Sequence, residues 1–226
     1  MSDLLECVEV ATGPAPTATV IWMHGLGADG YDFVPLVKEL DINQLPGLEK
    51  GVRFIFPHAP MRPVTINNGM VMRAWYDIKM VDLVKQEDEA GLRVSQVECE
   101  KLIANEVARG IPAQRIVLAG FSQGGAITLQ TGLRHQERLA GLMVLSSYLP
   151  IAATVAAEVS AANKEVPIFM AHGTHDPMIA LARATASRDQ LKQLGYVIEW
   201  KEYPMEHSLA MEEVRDVRAW LGRTLA

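Results

Sequence analysis

The stretch "RIVLAGFSQGGAITLQTGLR", residues 115–134, contains the change of pattern that decides the fold. Its first seven residues are mostly apolar and partly β-branched, which predicts a buried strand. The pattern from 123 to 134 is typical of a helix. A strand that turns directly into a helix is the unit from which parallel sheets are built. The turn between the two holds one serine, Ser122, between glycines.

Other segments along the chain repeat these two patterns. Five of them predict strands because they are short and rich in apolar residues: 18–25, 52–57, 139–147, 166–173 and 196–203. Helical spacing of apolar residues predicts helices over 87–109, over 178–194 and around Val214, Val217 and Leu221. Residues 57–69, with three prolines and an Asn-Asn-Gly turn, are predicted to be loop.

The alternation of strands and helices determines the expected fold class. It predicts an α/β protein with a mainly parallel central sheet flanked by helices, formed as one domain over residues 1–226. Ligand sites in such sheets gather at the carboxyl ends of the strands. Functional residues are therefore expected in the loops that follow the strands.

Composition excludes several classes of function. The net charge is −6 and no basic run is present, so a nucleic-acid-binding surface is not expected. The two cysteines, Cys7 and Cys99, lack the spacing of a zinc or redox motif, which favours a reducing compartment. No secretory signal or membrane-spanning stretch is recognisable. We therefore expect a cytoplasmic protein without stable membrane insertion.

Ser122 is a candidate nucleophile because "GFSQG" matches the pattern GxSxG between a predicted strand and a predicted helix. Side chains at positions 120 and 124 would collide with neighbouring elements in such a sharp turn. The turn would hold the serine hydroxyl out of the sheet, at the positive end of the helix. The alternative is that Ser122 only caps the helix.

A nucleophilic serine needs a base and an acid, which α/β-hydrolases supply in the chain order Ser, Asp or Glu, His. Asp176 follows the strand at 166–173, and of the remaining histidines only His207 comes after it. In this assignment His207 moves the proton and Asp176 orients the imidazole. The alternatives are that Asp176 is a helix N-cap before Pro177 and that His207 is an ordinary loop histidine.

The oxyanion of an acyl-transfer reaction needs hydrogen-bond donors. One expected donor is the backbone N–H of Gln123, directly after the serine, and the second is that of Leu26 in the loop "HGLGADG". A phosphate-binding loop is the alternative, but the lysine of a P-loop and a strict GxGxxG are absent. A metal site in "HGTHD", residues 172–176, is not expected because the HExxH pattern is missing. No cofactor is expected.

Six motifs in this order resemble the carboxylesterase and acyl-protein thioesterase family of α/β-hydrolases, and in particular its bacterial carboxylesterases. They are "HGLGADG", "RPVTINNG", "AWYDI", "GFSQGG", "HGTHDP" and "PMEHS", and they extend from about residue 18 to the C-terminus. The resemblance implies an α/β-hydrolase fold with no separate cap domain and a serine esterase acting on carboxylic esters, acyl thioesters or lysophospholipids. It also implies that the segment from Met61 to Tyr76, including Trp75, borders the acyl pocket.

Several points stay open at this stage. Many relatives carry glycine where this chain has Glu206, and a carboxylate there is expected to favour the protonated form of His207. A peptidase or lactonase would share the fold and the triad. A binding protein without turnover is the alternative from another class. The expected partner is a small ester or acyl substrate, and relatives of this kind suggest a homodimer.

Overall fold

A seven-stranded sheet forms the centre of the computed structural model, which describes residues 4–80 and 87–226. The elements follow the chain in this order: β1 (Cys7–Ala11), β2 (Ala18–Met23), α1 (Leu36–Leu40), β3 (Val52–Pro57), β4 (Met61–Val64), β5 (Met70–Arg73), α2 (Glu89–Ala108), β6 (Ile116–Phe121), α3 (Gln123–Gly132), β7 (Gly141–Leu145), α4 (Ala152–Glu158), β8 (Ile168–Gly173), α5 (Leu181–Gln193), β9 (Ile198–Tyr203) and α6 (Met211–Leu225).

The strand order in the sheet is β1-β3-β2-β6-β7-β8-β9. β1 pairs antiparallel with β3, and all other neighbours are parallel. This confirms the expected mainly parallel sheet. Parallel strands joined by helices need both faces covered, so their sequences are apolar throughout, as in β2, where every residue is buried.

Two hydrophobic clusters lie on opposite faces of the sheet. The first contains Ile21 and Met23 of β2 and packs under α2, α3, α4 and α5. The second contains Val20 and Trp22 of the same strand and packs under α1 and α6. Successive strand residues point to opposite faces, which explains why neighbours in one strand belong to different clusters. α3 begins at the end of the central strand β6 and is buried along its whole length.

The predicted loop at 57–69 is wrong in part. β4 and β5 form a two-stranded antiparallel hairpin outside the main sheet. Pro63 is tolerated because a hairpin strand has one open edge, where a missing N–H costs nothing. The turn between the strands places Asn68 and Gly69 at φ 57° and 75°, the left-handed region that asparagine and glycine tolerate.

Three further elements were not predicted: the edge strand β1 and the short helices α1 and α4. Their sequences are short and mixed, and they form by packing against elements that are already in place. All elements belong to the sheet, its two helical layers or the hairpin, so the described part of the chain contains no separate cap domain. None of the described helices is both long and apolar enough to cross a membrane.

Candidate active site

Ser122 lies at the sharp turn between β6 and α3. Its φ of 54° and ψ of −119° lie outside the regions that a serine prefers, so the surrounding structure must impose them. Its N–H donates to the Leu145 carbonyl at 2.9 Å, and its own carbonyl accepts from the Ser147 hydroxyl at 2.6 Å. Ser122 occupies the N-cap position of α3 without a side-chain capping bond. The hydroxyl is therefore not used as a cap.

The glycines around Ser122 make this turn sterically possible. A Cβ on Gly120 would lie 2.2 Å from the backbone of Gly124. A Cβ on Gly124 would lie 2.2 Å from the Met23 carbonyl oxygen in β2. Both distances are far below van der Waals contact, so only glycine lets β6, α3 and β2 approach this closely.

Asp176 and His207 meet across the loops that follow β8 and β9. Nδ1 of His207 donates to Oδ2 of Asp176 at 2.7 Å. The other carboxylate oxygen, Oδ1, accepts from the N–H groups of Met178 and Ile179 at 2.8 and 2.9 Å. α5 begins at Leu181 with Ala180 as its N-cap, so Asp176 caps a turn and not the helix.

The imidazole of His207 packs on the ring of Phe121, with the ring centroids 4.8 Å apart. Its side chain is 18% exposed, so the ring is partly shielded from water. Because Nδ1–H is donated to Asp176, Nε2 is left for a proton that comes from elsewhere. Ser122 and His207 both line one pocket. The structure thus gathers the three predicted residues at the carboxyl edge of the sheet.

The pocket has a volume of about 580 Å³, within the size range of small-molecule sites. Most of its walls are apolar, and they come from the loop after β2, the β4–β5 hairpin region and the loop after β8. The lining residues are Gly25, Leu26, Ala28, Asp32, Ile66, Asn67, Met72, Tyr76, Ile78, Phe121, Ser122, Gln123, Tyr148, Pro177, Met178, Ile179 and His207.

The two predicted oxyanion donors border this pocket. Gln123 is the first residue of α3, where backbone N–H groups have no partner within the helix. Leu26 lies in the loop after β2, which is fixed at Gly27 by a hydrogen bond from its N–H to the Arg73 carbonyl at 2.9 Å. The positive end of α3 and the backbone of the loop after β2 therefore both lie beside Ser122.

His24 holds this loop by two hydrogen bonds. Its Nδ1–H donates to the Gly25 carbonyl at 2.7 Å, and its Nε2 accepts from the Ala59 N–H at 3.1 Å. Burial lowers the pKa of His24 to about 4, so the ring is neutral at pH 7. Its own carbonyl accepts from the Trp75 indole at 2.9 Å.

Trp75 and Met61 do not line the pocket, which corrects the expectation for these two residues. Trp75 is buried beneath it, and Met61 is 58% exposed on the hairpin. Their segment contributes Ile66, Met72 and Tyr76 instead. Tyr148 was not predicted, because it lies 72 positions from Tyr76, whose hydroxyl is 2.7 Å from its own.

Two other titratable residues, His172 and Glu206, lie close in the sequence to Asp176 and His207. His172 is buried, its Nε2–H donates to the Ile179 carbonyl at 2.8 Å, and burial lowers its pKa. Glu206 is exposed, so the carboxylate that contacts His207 is that of Asp176. Across residues 4–80 and 87–226, no group of three His, Cys, Asp or Glu side chains is placed to hold a metal ion.

Comparison with known proteins identifies the family and agrees with the fold. Residues 5–225 match the phospholipase/carboxylesterase family. Acyl-protein thioesterase 1 of Neurospora crassa is 45% identical, covering 92% of this chain and 87% of the relative. The same-named protein of Gibberella zeae is 42% identical, with 92% and 91% covered. The crystal structure of Arabidopsis thaliana SOBER1 superposes with a TM-score of 0.85 at 31% identity, covering 92% of this chain and 99% of that one.

These matches extend over nearly the whole chain, and the motifs on which the resemblance rested lie within them. The expectation of an α/β-hydrolase fold and of this family is confirmed. The chain belongs to the phospholipase/carboxylesterase family of serine hydrolases.

Proposed function

We propose that this protein hydrolyses carboxylic esters and acyl thioesters through an acyl-enzyme formed on Ser122. One observation carries the proposal: Ser122 is held in a strained turn, with its hydroxyl free of a capping bond, in the same pocket as a histidine that is bonded to a buried carboxylate. Strain of this kind is costly and is found where function requires it.

In the first step Nε2 of His207 takes the proton of the Ser122 hydroxyl as its oxygen attacks the carbonyl carbon. The backbone N–H groups of Gln123 and Leu26 stabilise the oxyanion of the tetrahedral intermediate. Asp176 stabilises the imidazolium that forms. His207 then donates this proton to the departing alkoxide or thiolate, and the acyl group remains on Ser122.

In the second step a water molecule replaces the leaving group. His207 takes a proton from this water, which attacks the acyl carbonyl and forms a second tetrahedral intermediate. When this intermediate collapses, the Ser122 oxygen leaves and recovers the proton from His207. The products are a carboxylic acid and the free enzyme.

The apolar walls of the pocket fit an acyl chain. The lining includes four side chains that consist mainly of carbon, those of Tyr76, Ile78, Tyr148 and Ile179. Burial of an alkyl chain against them contributes about 0.8 kcal/mol per methylene. The fungal relatives are named acyl-protein thioesterases, which supports thioesters beside oxygen esters as substrates.

Hydrolysis of p-nitrophenyl esters from acetate to long acyl chains, and of the matching S-acyl thioesters, tests the proposal. Turnover is expected in wild type and should fall by several orders of magnitude in Ser122→Ala, because the nucleophile is gone. A fluorophosphonate probe should label wild type and not the variant. Binding without turnover in wild type would favour a binding protein, and cleavage of amides or lactones alone would favour a peptidase or lactonase.

We also propose that the protein is cytoplasmic and forms a homodimer. Cys7 and Cys99 are both free thiols, which suits a reducing compartment.

An exposed apolar surface on the hairpin supports the homodimer. Three of its side chains are more than half exposed, those of Met61, Met70 and Val71, and such a surface is often covered by a second copy. Sedimentation velocity of wild type and Val71→Glu tests the dimer, and a monomer at all concentrations would contradict it.

A further inference from the structure

The walls of the pocket are not chemically uniform. Asp32 is the one carboxylate among the lining residues that the structure describes, and no lysine or arginine lies among them. Within residues 4–80 and 87–226, no basic side chain forms an ion pair with Asp32. An unpaired carboxylate at the wall of a mainly apolar pocket affects which substrates the pocket prefers.

A row of aromatic contacts connects the loop that contains Asp32 with His207. Asp32 precedes Phe33, whose ring packs against that of Phe121 with a centroid distance of 5.7 Å. Phe121 in turn packs against His207. This row of rings joins the Asp32 loop to the imidazole along the face of the sheet that carries α1 and α6.

Another part of the pocket lining belongs to the other face of the sheet. Tyr76 and Tyr148 are part of the cluster under α2 to α5. Because His207 must protonate the leaving group, that group departs on the imidazole side. The acyl chain is then left with the apolar wall, and the leaving group lies on the side of Asp32.

We propose that Asp32 makes the enzyme prefer substrates whose alcohol or thiol leaving group carries a positive charge. This inference rests on the proposed function. A cation beside Asp32 would be attracted in the bound state, whereas an uncharged group of the same shape would not. Neighbouring groups leave the carboxylate available, since Asp29 uses its Oδ1 to accept the Tyr31 N–H and Arg73 donates to the Ala59 carbonyl.

The surroundings of Asp32 act on the stability of its ionised form. Partial burial and the nearby negative charge of Asp29 raise the pKa of Asp32 above its usual value. Both effects destabilise the ionised carboxylate in the free enzyme. A bound cation would relieve them.

The test uses two thioesters of the same shape. S-butyrylthiocholine carries a quaternary nitrogen, and S-(3,3-dimethylbutyl) thiobutyrate has carbon in its place. We expect kcat/KM in wild type to be about five- to tenfold higher for the cationic thioester, the size of one screened charge pair. The neutral thioester is the internal reference within each variant, so general damage cancels in the ratio.

Three variants complete the design. Asp32→Asn should bring the ratio close to one, and Asp32→Lys should bring it below one. Asp189→Asn, which changes an exposed carboxylate outside the pocket lining, should keep the wild-type ratio. Raising the salt concentration should lower the ratio in wild type.

A wild-type ratio of one or less, or a ratio that Asp32→Asn does not change, would overturn the inference and leave the esterase proposal intact. If wild type hydrolyses neither thioester and no p-nitrophenyl ester, the proposed function fails and the inference fails with it. The two failures are thus distinguished by the p-nitrophenyl assay.

Discussion

The side-chain oxygen of Gln123 accepts a hydrogen bond from the backbone N–H of Trp75 at 2.7 Å. The amide nitrogen of the same side chain donates to the Tyr76 carbonyl, also at 2.7 Å. The residue after the nucleophile therefore ties the segment beneath the pocket to the start of α3. In our proposal its backbone N–H also stabilises the oxyanion, so one residue couples the wall of the pocket to the reaction centre.

Gln123→Ala should destabilise the protein and weaken substrate binding more than turnover. It leaves the Trp75 N–H and the Tyr76 carbonyl buried without partners, at a cost of about 1–3 kcal/mol each. The backbone N–H of residue 123 remains, so we expect KM for long acyl esters to rise more than kcat falls. Urea denaturation and steady-state kinetics measure both effects.

The control is Gln136→Ala, because Gln136 is exposed and makes one side-chain hydrogen bond, to the Arg134 carbonyl. Its loss should cost less than 1 kcal/mol, as is usual at the surface. A destabilisation by Gln123→Ala that is no larger than this would contradict a clamping role for Gln123.

Asp176→Asn should abolish most activity without unfolding the protein. The asparagine oxygen can keep the two backbone hydrogen bonds that Oδ1 accepts. Its NH₂ group then faces Nδ1 of His207 and favours the wrong tautomer, which costs on the order of 10³- to 10⁴-fold in kcat. We expect thermal unfolding to change little, and Asp189→Asn, at an exposed carboxylate, to match wild type in both assays. Activity of Asp176→Asn within tenfold of wild type would exclude Asp176 from the triad.

Local pattern was enough to predict the parts of the fold that depend on neighbouring residues. The strand before Ser122 and the helix after it each consist of consecutive residues with a recognisable pattern. The glycines that let the two approach lie in the same stretch. The hairpin was missed because Pro63 and the Asn-Asn-Gly turn are equally typical of a loop. What decides between the two is the pairing of β4 with β5, which propensity does not encode.

The pocket wall depends on contacts that a single sequence does not reveal. Tyr76 and Tyr148 are 72 positions apart, yet their hydroxyls form one hydrogen bond. In the sequence Asp32 resembles a solvated turn residue. Only the contacts of Phe33 with Phe121 and of Phe121 with His207 connect its loop to the imidazole. Trp75 was expected at the pocket from the family resemblance, but its indole N–H donates to the buried His24 carbonyl.

Glu213→Gln should stabilise the protein at alkaline pH. Glu213 is fully buried. Burial raises its pKa to about 8, against the opposing effect of the Ala210 backbone N–H and with a smaller contribution from Asp216. The folded state thus keeps a proton that the unfolded state releases above about pH 4.5, and stability is lost as the pH rises from there to about 8. The whole loss is up to about 5 kcal/mol.

Urea denaturation of wild type and Glu213→Gln between pH 4.5 and 8.5 measures this effect. The two proteins should be similar in stability at pH 4.5, and the variant should be the more stable one at pH 8.5. Glu212→Gln, at the exposed neighbouring position, should follow wild type. If the stability of wild type and of Glu213→Gln changes equally with pH, Glu213 has the same pKa in the folded and the unfolded state, which would contradict the prediction.

His24 should make the protein sensitive to acid. Its pKa falls from 6.5 to about 4 on folding, so the unfolded state binds a proton between these values that the folded state does not. Stability contributed by the neutral ring is complete above pH 6.5 and is lost as the pH falls toward 4, by about 3 kcal/mol in total. His24→Gln cannot titrate, so its free energy of unfolding should fall less steeply over this window than that of wild type. The exposed His175→Gln should keep the wild-type slope, and equal slopes for wild type and His24→Gln would mean that protonation of His24 does not oppose folding.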